Sequence, residues 1–338
     1  MRDVLKTWEM TNCRTLVQPG EDTKVELPIE KNVEPDDVHR AQKLSGSLIW
    51  LSTRTRPDIT YAQSRISSMA TKAPKRAFLE GMRVLRYLNG TKHYGLHFKA
   101  CRNSEEVIAY TDANFSIQRS QTGAVIKLGV NVVAWRSMKQ TDSAISTAES
   151  EVQALASTEV LAEYIRTLRE SLCLPTSVVR IKCDNTAAIV LATGEGSWRT
   201  KSAANKVYQV KEKVHNGLIE VTYVSTKDQC ADSLTKYLKG GESQKKANLQ
   251  LSLIDLDLWL PEKDLITRAK EVRLSDKFEF FQPVVKRIFC SGPDAFENIG
   301  TQHSKTEGGS EDWSISLIKG KYVFRSCQGS NYKRVVWW

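Results

Sequence analysis

The chain has 338 residues, enough for two compact domains or one large one with extensions, and 41% of them are hydrophobic, so it can bury cores of ordinary size. Its 49 Lys and Arg outnumber its 39 Asp and Glu to give a net charge of +10, which suits a polyanionic partner such as nucleic acid, although basic soluble proteins also look like this. The seven cysteines (Cys13, Cys101, Cys173, Cys183, Cys230, Cys290 and Cys327) are scattered, odd in number and free of any C-x-x-C pair, which argues against a disulfide framework and a zinc site. No run is apolar enough for a signal-peptide core or a bilayer crossing, so an intracellular soluble protein, with no membrane partner, is expected.

Residues 1–38 are mixed and polar and read as loop. Within them Asp36 and Asp37 are adjacent, as metal ligands of polymerase palm domains are. Pro35 precedes them and no apolar strand leads in, so a solvated turn is expected. From His39 the pattern is helical. Leu44, Leu48 and Leu51 share one helix face, as do Ile59, Ala62 and Ile66, and then Phe78, Met82, Leu85 and Leu88. Asn89-Gly90 reads as the C-cap of that third helix.

From about Cys101 to Leu238 strands and helices alternate. "EVIAYTDAN" is an apolar strand ending near Asp112, and "TGAVIKLGVNVVAWRS" is a hairpin turning at Gly129. A helix over about Ala148–Leu172 follows, with Ser146 as N-cap and Glu149 three residues on, the spacing of a capping box. "SVVRIKCDN" is a second buried strand, ending on Asp184. "TAAIVLAT" and "SAANKVYQVKEKVHNG" are helices, the second stopped by Gly217. "LIEVTYVST" is a strand, and "DQCADSLTKYL" reads as a last short helix carrying Asp232. The order implies an α/β unit with a mixed sheet flanked by helices. In the last hundred residues "LQLSLIDLDLWLPEKD" is apolar or amphipathic, "KFEFFQPVVKRIF" is strand-like, "GTQHSKTEGGSEDW" reads as loop, and "NYKRVVWW" ends the chain.

Four acids stand out by position. Asp112 and Asp184 end buried strands, Glu151 lies in the first turns of a helix, and Asp232 follows the last strand. Strand ends are where α/β sheets assemble sites. Carboxylates gathered there repel one another unless a cation holds them, and Mg²⁺, a hard ion, takes oxygen ligands. Two such ions about 3.5–4 Å apart can serve one phosphodiester, one activating water and the other stabilising the leaving oxygen. Any one of these aspartates alone is an ordinary turn-former or cap. Periodicity does not choose between Glu149 and Glu151, which flank the Val152, Leu155, Ala156 stripe on opposite sides.

Residues 107–238 resemble the ribonuclease H domain of copia-type LTR retrotransposon polyproteins. The carriers are "YTDANF", "RSQTGAVIKLG", "VVAWRSMKQTDSAISTAESEVQAL", "IKCDNTAAI" and "RTKSAANKVYQVKEKVHNGLIEVTYVSTKDQCADSLTK". Upstream, "LSGSLIWLSTRTRPDITYAQSRIS" and "RVLRYLNGTKHYGLHF" resemble the segment joining reverse transcriptase to ribonuclease H in the same polyproteins. The resemblance implies an α/β, ribonuclease H-like fold and two-metal cleavage of the RNA strand of an RNA–DNA hybrid, with Mg²⁺ or alternatively Mn²⁺. It carries catalytic and metal-binding roles onto Asp112 in "TDAN", Asp184 in "CDN" and Asp232 in "CADSLTK". It selects Glu151 through the E-apolar-x-A-apolar run Glu151-Val152-Gln153-Ala154-Leu155, leaving Glu149 as the cap.

On this reading residues 1–38 are a polar leader, the remnant of an upstream polyprotein. Residues 39–100 are a helical thumb- or connection-like segment, 101–240 the ribonuclease H-like domain, and 241–338 an unassigned α+β extension. Family members commonly carry histidines where this chain has Ser202 and Gln209. No palm motif precedes residue 39, so the chain is expected not to polymerise DNA by itself. The expected partners are an RNA–DNA hybrid and the reverse transcriptase portion of the polyprotein, in a cytoplasmic particle or the nucleus. Candidate nucleic-acid contacts are Asn114, Arg136, Lys139, Gln140, Asn185, Arg199 and Lys201. Arg83 and Arg86 are candidates to extend the track, and Trp135 and Trp198 to stack. The alternative is a degenerate fragment that binds nucleic acid or a polymerase partner without cutting.

Overall fold

A computed structural model of the chain describes residues 1–21, 33–99, 105–194 and 204–256, together with the backbone of three strands at 312–318, 321–328 and 331–337. Helix formation begins earlier than the periodicity alone suggests. Arg2–Thr7 form α1, whose Leu5 is buried in the same core as Met10, so the leader is partly structural rather than all loop. α2 runs Pro35–Arg54. Pro35 has no N–H to lose in the first turn, and Asp36 and Asp37 complement the positive end of the helix dipole. The paired aspartates therefore open a helix instead of a turn.

α3 (Thr60–Met69) and α4 (Pro74–Gly90) pack with α2. The expected stripes meet there: Leu44, Leu48, Leu51, Ile59, Ile66, Leu85 and Leu88 are buried, with Phe78 and Met82 at the rim. Each such leucine or isoleucine contributes about 1.5–3 kcal/mol by leaving water. One polar network lies inside this unit. Arg56 Nε and Nη2 grip Asp58 at 2.9 and 2.6 Å, and the guanidinium also donates to the Thr91 carbonyl and hydroxyl. The Tyr87 hydroxyl donates to Asp58 at 2.6 Å and accepts from Asn248 at 3.0 Å. Arg56 is fully buried, so only this complete set of partners makes its charge tolerable.

Asn248 belongs to α8 (Gly241–Gln250), which is followed by a short strand at Leu253–Asp255. That strand pairs antiparallel with Tyr94–Phe98, and Tyr94–Phe98 pairs on its other edge with the strand at Asp312–Ile318. In chain order Tyr94–Phe98 is β1, Leu253–Asp255 is β7 and Asp312–Ile318 is β8; with β9 (Lys321–Gln328) and β10 (Asn331–Trp337) they form a sheet of order β10-β9-β8-β1-β7. Residues 241–255 thus return to the helical unit instead of forming a separate tail.

The second sheet is the expected mixed one. β2 (Val107–Asn114), β3 (Gln121–Leu128) and β4 (Asn131–Lys139) run antiparallel, and β5 (Val179–Cys183) and β6 (Ile219–Tyr223) add in parallel, in order β4-β3-β2-β5-β6. Gly129, with φ at +56°, makes the β3–β4 turn. α5 (Thr147–Ser171), α6 (Thr186–Thr193) and α7 (Ala204–His215) lie beside the sheet, and β3 is buried on both faces. Its Ile126 joins Val107, Ala109 and Leu155 on the α5 side; Val125 joins Ala231, Leu234 and Leu251 on the other. The expected last helix is instead two short 3-10 turns, Thr226–Asp228 and Asp232–Leu234. Local bonds divert the backbone: Ser225 Oγ donates to Asp228, and Thr235 Oγ1 lies 3.0 Å from the Asp232 carbonyl oxygen. Side chains join the units, with Trp135 Nε1 donating to Ser52 O at 2.6 Å and Gln121 Nε2 to Ser64 Oγ at 3.1 Å. Among the described residues, no helix is long and apolar enough to cross a membrane.

Candidate active site

β2 and β5 are parallel, with Ala109 opposite Ile181 and Tyr110 opposite Lys182. The same register carried two residues further sets Asp112 abreast of Asp184, at a strand spacing of about 4.8 Å. Glu151 reaches this sheet end from the start of α5. Its carboxylate, the Cys183 sulfur and the Asp184 carboxylate lie within 4.8 Å of one another. Asp232 arrives on the turn after β6. The structure therefore brings together the four acids singled out from the sequence.

Gly123 lets that turn come close. It sits opposite Asp112 on β3, and a Cβ there would stand 2.7 Å from both the Ala231 carbonyl oxygen and the Thr235 methyl carbon. The approach places Thr235 Oγ1 in hydrogen-bond contact with Asp112 Oδ2. That hydroxyl has one proton to share between Asp112 and the Asp232 carbonyl. Lys236 Nζ lies 2.7 Å from Asp232 Oδ1. Thr235, Lys236 and Gly123 were not singled out from the sequence, although Asp232 and Lys236 have the i, i+4 spacing of an ion pair.

Electrostatics mark the cluster. Burial, followed by the charges of Asp112 and Asp184, pushes Glu151 up to about 9. Burial raises Asp112 to about 6; the Thr235 hydroxyl works against this and Asp232 with it. Burial alone would lower Lys236, but its bond to Asp232 and the charges of Asp112 and Asp184 hold it above the ordinary lysine value. Among the described residues, the Lys236 ammonium acts on Asp112, Glu151 and Asp232 of this cluster.

Glu149 occupies the capping position expected of it. Glu149 N–H donates to Ser146 Oγ at 3.1 Å, and Glu149 Oε2 accepts from Ile145 N–H at 2.8 Å, which is the reciprocal cap. Glu151 Oε2 is buried and finds no hydrogen-bond partner among the described residues. An orphaned buried carboxylate oxygen beside other carboxylates fits a hard divalent cation held through oxygen. Cys183 is a poor ligand here, because burial pushes its thiol up to about 12 and keeps the proton on sulfur.

The nucleic-acid candidates fall into four groups. Arg136 and Lys139 are exposed on β4. Asn114 donates to Thr235 O at 3.3 Å and Asn185 caps α6 by accepting from Ala188 N–H, so both brace the site. Gln140 corrects its expectation: it is buried, and its amide nitrogen donates inward to Thr122 Oγ1 and Ser150 O. Trp135 is likewise tied to α2, Arg83 pairs with Glu21, and Arg86 donates to Arg14 O at 2.9 Å. Arg199, Lys201, Trp198 and Ser202 lie outside the described residues, as does the "KFEFFQPVVKRIF" run. Gln209 is exposed on α7.

Fold and site together define an α/β protein with an acidic centre at one end of a mixed sheet. No family model matches the chain. Over 243 residues, 70% of this chain and 16% of the relative, it is 31% identical to the retrovirus-related Pol polyprotein from transposon RE1 of Arabidopsis thaliana. It is 27% identical to the polyprotein from transposon TNT 1-94 of Nicotiana tabacum, over 69% of this chain and 18% of the relative. It is also 35% identical to secreted RxLR effector protein 161 of Plasmopara viticola, over 37% of this chain and 91% of that protein. The chain belongs to the retrovirus-related, copia-type Pol polyproteins of transposons, and spans about one sixth of the length of the polyproteins it matches.

Proposed function

We propose that this chain is a retrotransposon ribonuclease H that hydrolyses the RNA strand of RNA–DNA hybrids, built on the ribonuclease H-like variant of the mixed α/β sheet. The observation that carries the reading is the convergence of Asp112, Glu151, Asp184 and Asp232 on one sheet end, with an orphaned oxygen on Glu151 and, among the described residues, the Lys236 ammonium beside them. These four carboxylates would hold two Mg²⁺ ions, with Mn²⁺ as the alternative. Ions held there supply Lewis-acid chemistry: they lower the pKa of water and neutralise charge on the phosphate. The chain's own residues do the rest. Thr235 fixes the orientation of Asp112, Gly123 admits the turn bearing Asp232, and the capping box fixes the first turns of α5 and hence Glu151. Lys236, tied to Asp232, offsets part of the repulsion among these carboxylates. Family membership suggests the polymerase portion of the polyprotein as partner and an intracellular setting, in the particle or nucleus.

The test is a labelled RNA–DNA hybrid incubated with the purified full chain and Mg²⁺, with and without EDTA, beside Asp184→Asn. Metal-dependent loss of the RNA strand that is absent in Asp184→Asn is the expected result. Hybrid binding without cleavage would mean a relic that keeps its fold and has lost its chemistry.

A further inference from the structure

A cavity of about 440 Å³ opens where the helical unit meets the mixed sheet, lined by Ser68, Lys72, Ser116, Gln118, Arg119 and Lys139. Its size falls within the range of ligand clefts, about 300–1,000 Å³. Three of its six lining residues are cationic and none is acidic. Among the described residues, Lys72, Arg119 and Lys139 have no carboxylate within ion-pair distance. Asp142, an acid close enough to feel Arg119, is itself paired with Lys206 at 2.6 Å. Partial burial and then the neighbouring Arg65, Lys72 and Arg119 lower Lys139 from the ordinary lysine value. Like charges drawn together without a counterion cost stability unless an anion completes the site.

The walls are fixed. Gln121 Nε2 donates both to Ser64 Oγ on α3 and to Ser137 Oγ on β4, and Ser143 Oγ donates to Gln118 O. The cavity is also close to the acidic centre. Lys139 pairs with Gln121, and Gln121 pairs with Asn114, two residues beyond Asp112. Two strand spacings across and two residues along β2 make the backbone separation of Lys139 from Asp112 about 12 Å.

We propose that this cavity binds backbone phosphate of the nucleic-acid strand that reaches the acidic centre, with Lys72, Arg119 and Lys139 as its ligands. It rests on the reading of the chain as a nucleic-acid enzyme. It adds that the substrate track runs over the junction between the two units, so that the helical unit supplies a phosphate contact through Lys72. Cations that touch phosphate release counterions, and each contact contributes about 0.9 to the slope of log affinity against log salt.

The experiment measures binding of an RNA–DNA hybrid, and of a DNA duplex of the same sequence, to the full chain in EDTA across a salt series. Lys72→Gln, Arg119→Gln and Lys139→Gln are each expected to lower the slope by about 0.9 and the affinity at about 0.1 M salt by about eightfold. Lys139→Arg should restore both. Lys245→Gln, which removes an exposed charge outside the cavity, should leave the slope unchanged. Slopes unaltered in all three cavity variants, or lowered equally by Lys245→Gln, would overturn the proposal, as would failure of the chain to bind nucleic acid. Inorganic phosphate that binds the cavity while the hybrid slope stays that of the parent would overturn it in favour of a small-anion site. Cleavage is not read, so an inactive enzyme with these slopes would refute the ribonuclease reading and leave this site standing.

Discussion

Replacing Glu151 with Gln should stabilise the metal-free protein. In the unfolded chain a glutamate titrates at roughly 4.3. In the folded chain, burial and the charges of Asp112 and Asp184 raise Glu151 to about 9. A raised carboxylate means that the folded state binds the proton more tightly. Below about pH 4 both states carry it and nothing is lost. As pH climbs through the window from there to about 9, the unfolded state ionises first, and stability falls by about 1.4 kcal/mol per unit. At neutral pH this amounts to about 4 kcal/mol, part of it shared with Asp112, whose own proton is also held too tightly.

Gln keeps the shape and cannot ionise, so Glu151→Gln should gain about 2–3 kcal/mol near pH 7 in EDTA. The gain should be close to zero near pH 4. Urea or thermal unfolding of the full chain at about pH 5 and pH 8 measures this. Mg²⁺ should narrow the gap at pH 8, because a ligand of the folded state alone stabilises by mass action. Glu149→Gln is the control for the loss of one carboxylate at the start of α5, because Gln also serves at that cap position. A parent stability that is flat between pH 5 and 8, or a Glu151→Gln protein no more stable than the parent at pH 8, would refute the argument.

Asp184→Asn should abolish hybrid cleavage while the far-ultraviolet circular dichroism and hybrid affinity stay near the parent values; undiminished cleavage would remove Asp184 from the site. Gly123→Ala should push the Asp232–Leu234 turn off β3, at about 1–3 kcal/mol for overpacking, and lower cleavage; full activity at parent stability would show that the turn can shift freely. Asp58→Asn leaves Arg56 buried without its counterion and should cost about 3–5 kcal/mol in urea unfolding, whereas an unchanged midpoint would mean that the pair is dispensable.

Much of the sheet domain was legible because its signals are local. Apolar, β-rich runs gave β2, β3 and β4, Gly129 gave the turn between β3 and β4, and Ser146 with Glu149 gave the start of α5 within a residue. The carboxylates were legible as positions at strand ends, and their convergence follows once β2 and β5 pair in parallel. What escaped depends on contacts distant in sequence. Arg56 and Asp58 look like surface charges in "RTRPD", and only Tyr87, Thr91 and Asn248 make them a buried network. Gln140 looks like a polar neighbour of Lys139, yet its amide points into the fold. The "DQCADSLTK" segment has helical spacing, but Ser and Thr hydroxyls and the close approach at Gly123 hold it as tight turns.

The acidic centre is not a property of the mixed sheet alone. Its fourth carboxylate and its one ammonium ride on the turn from Asp232 to Lys236, and that turn runs straight into Tyr237, which sits in the core of the helical unit. Tyr237 packs edge-on to Tyr61 of α3, with the Arg65 guanidinium over its ring. Residues 241–250 then fold back so that Asn248 closes the Arg56–Asp58–Tyr87 network. From Asp232 at the site, the chain therefore anchors in the helical unit at Tyr237, five residues on. Loss of the helical unit would free the far end of the segment that presents Asp232 and Lys236. The segment that reads from sequence as a last short helix is thus the clamp on one side of the carboxylate cluster.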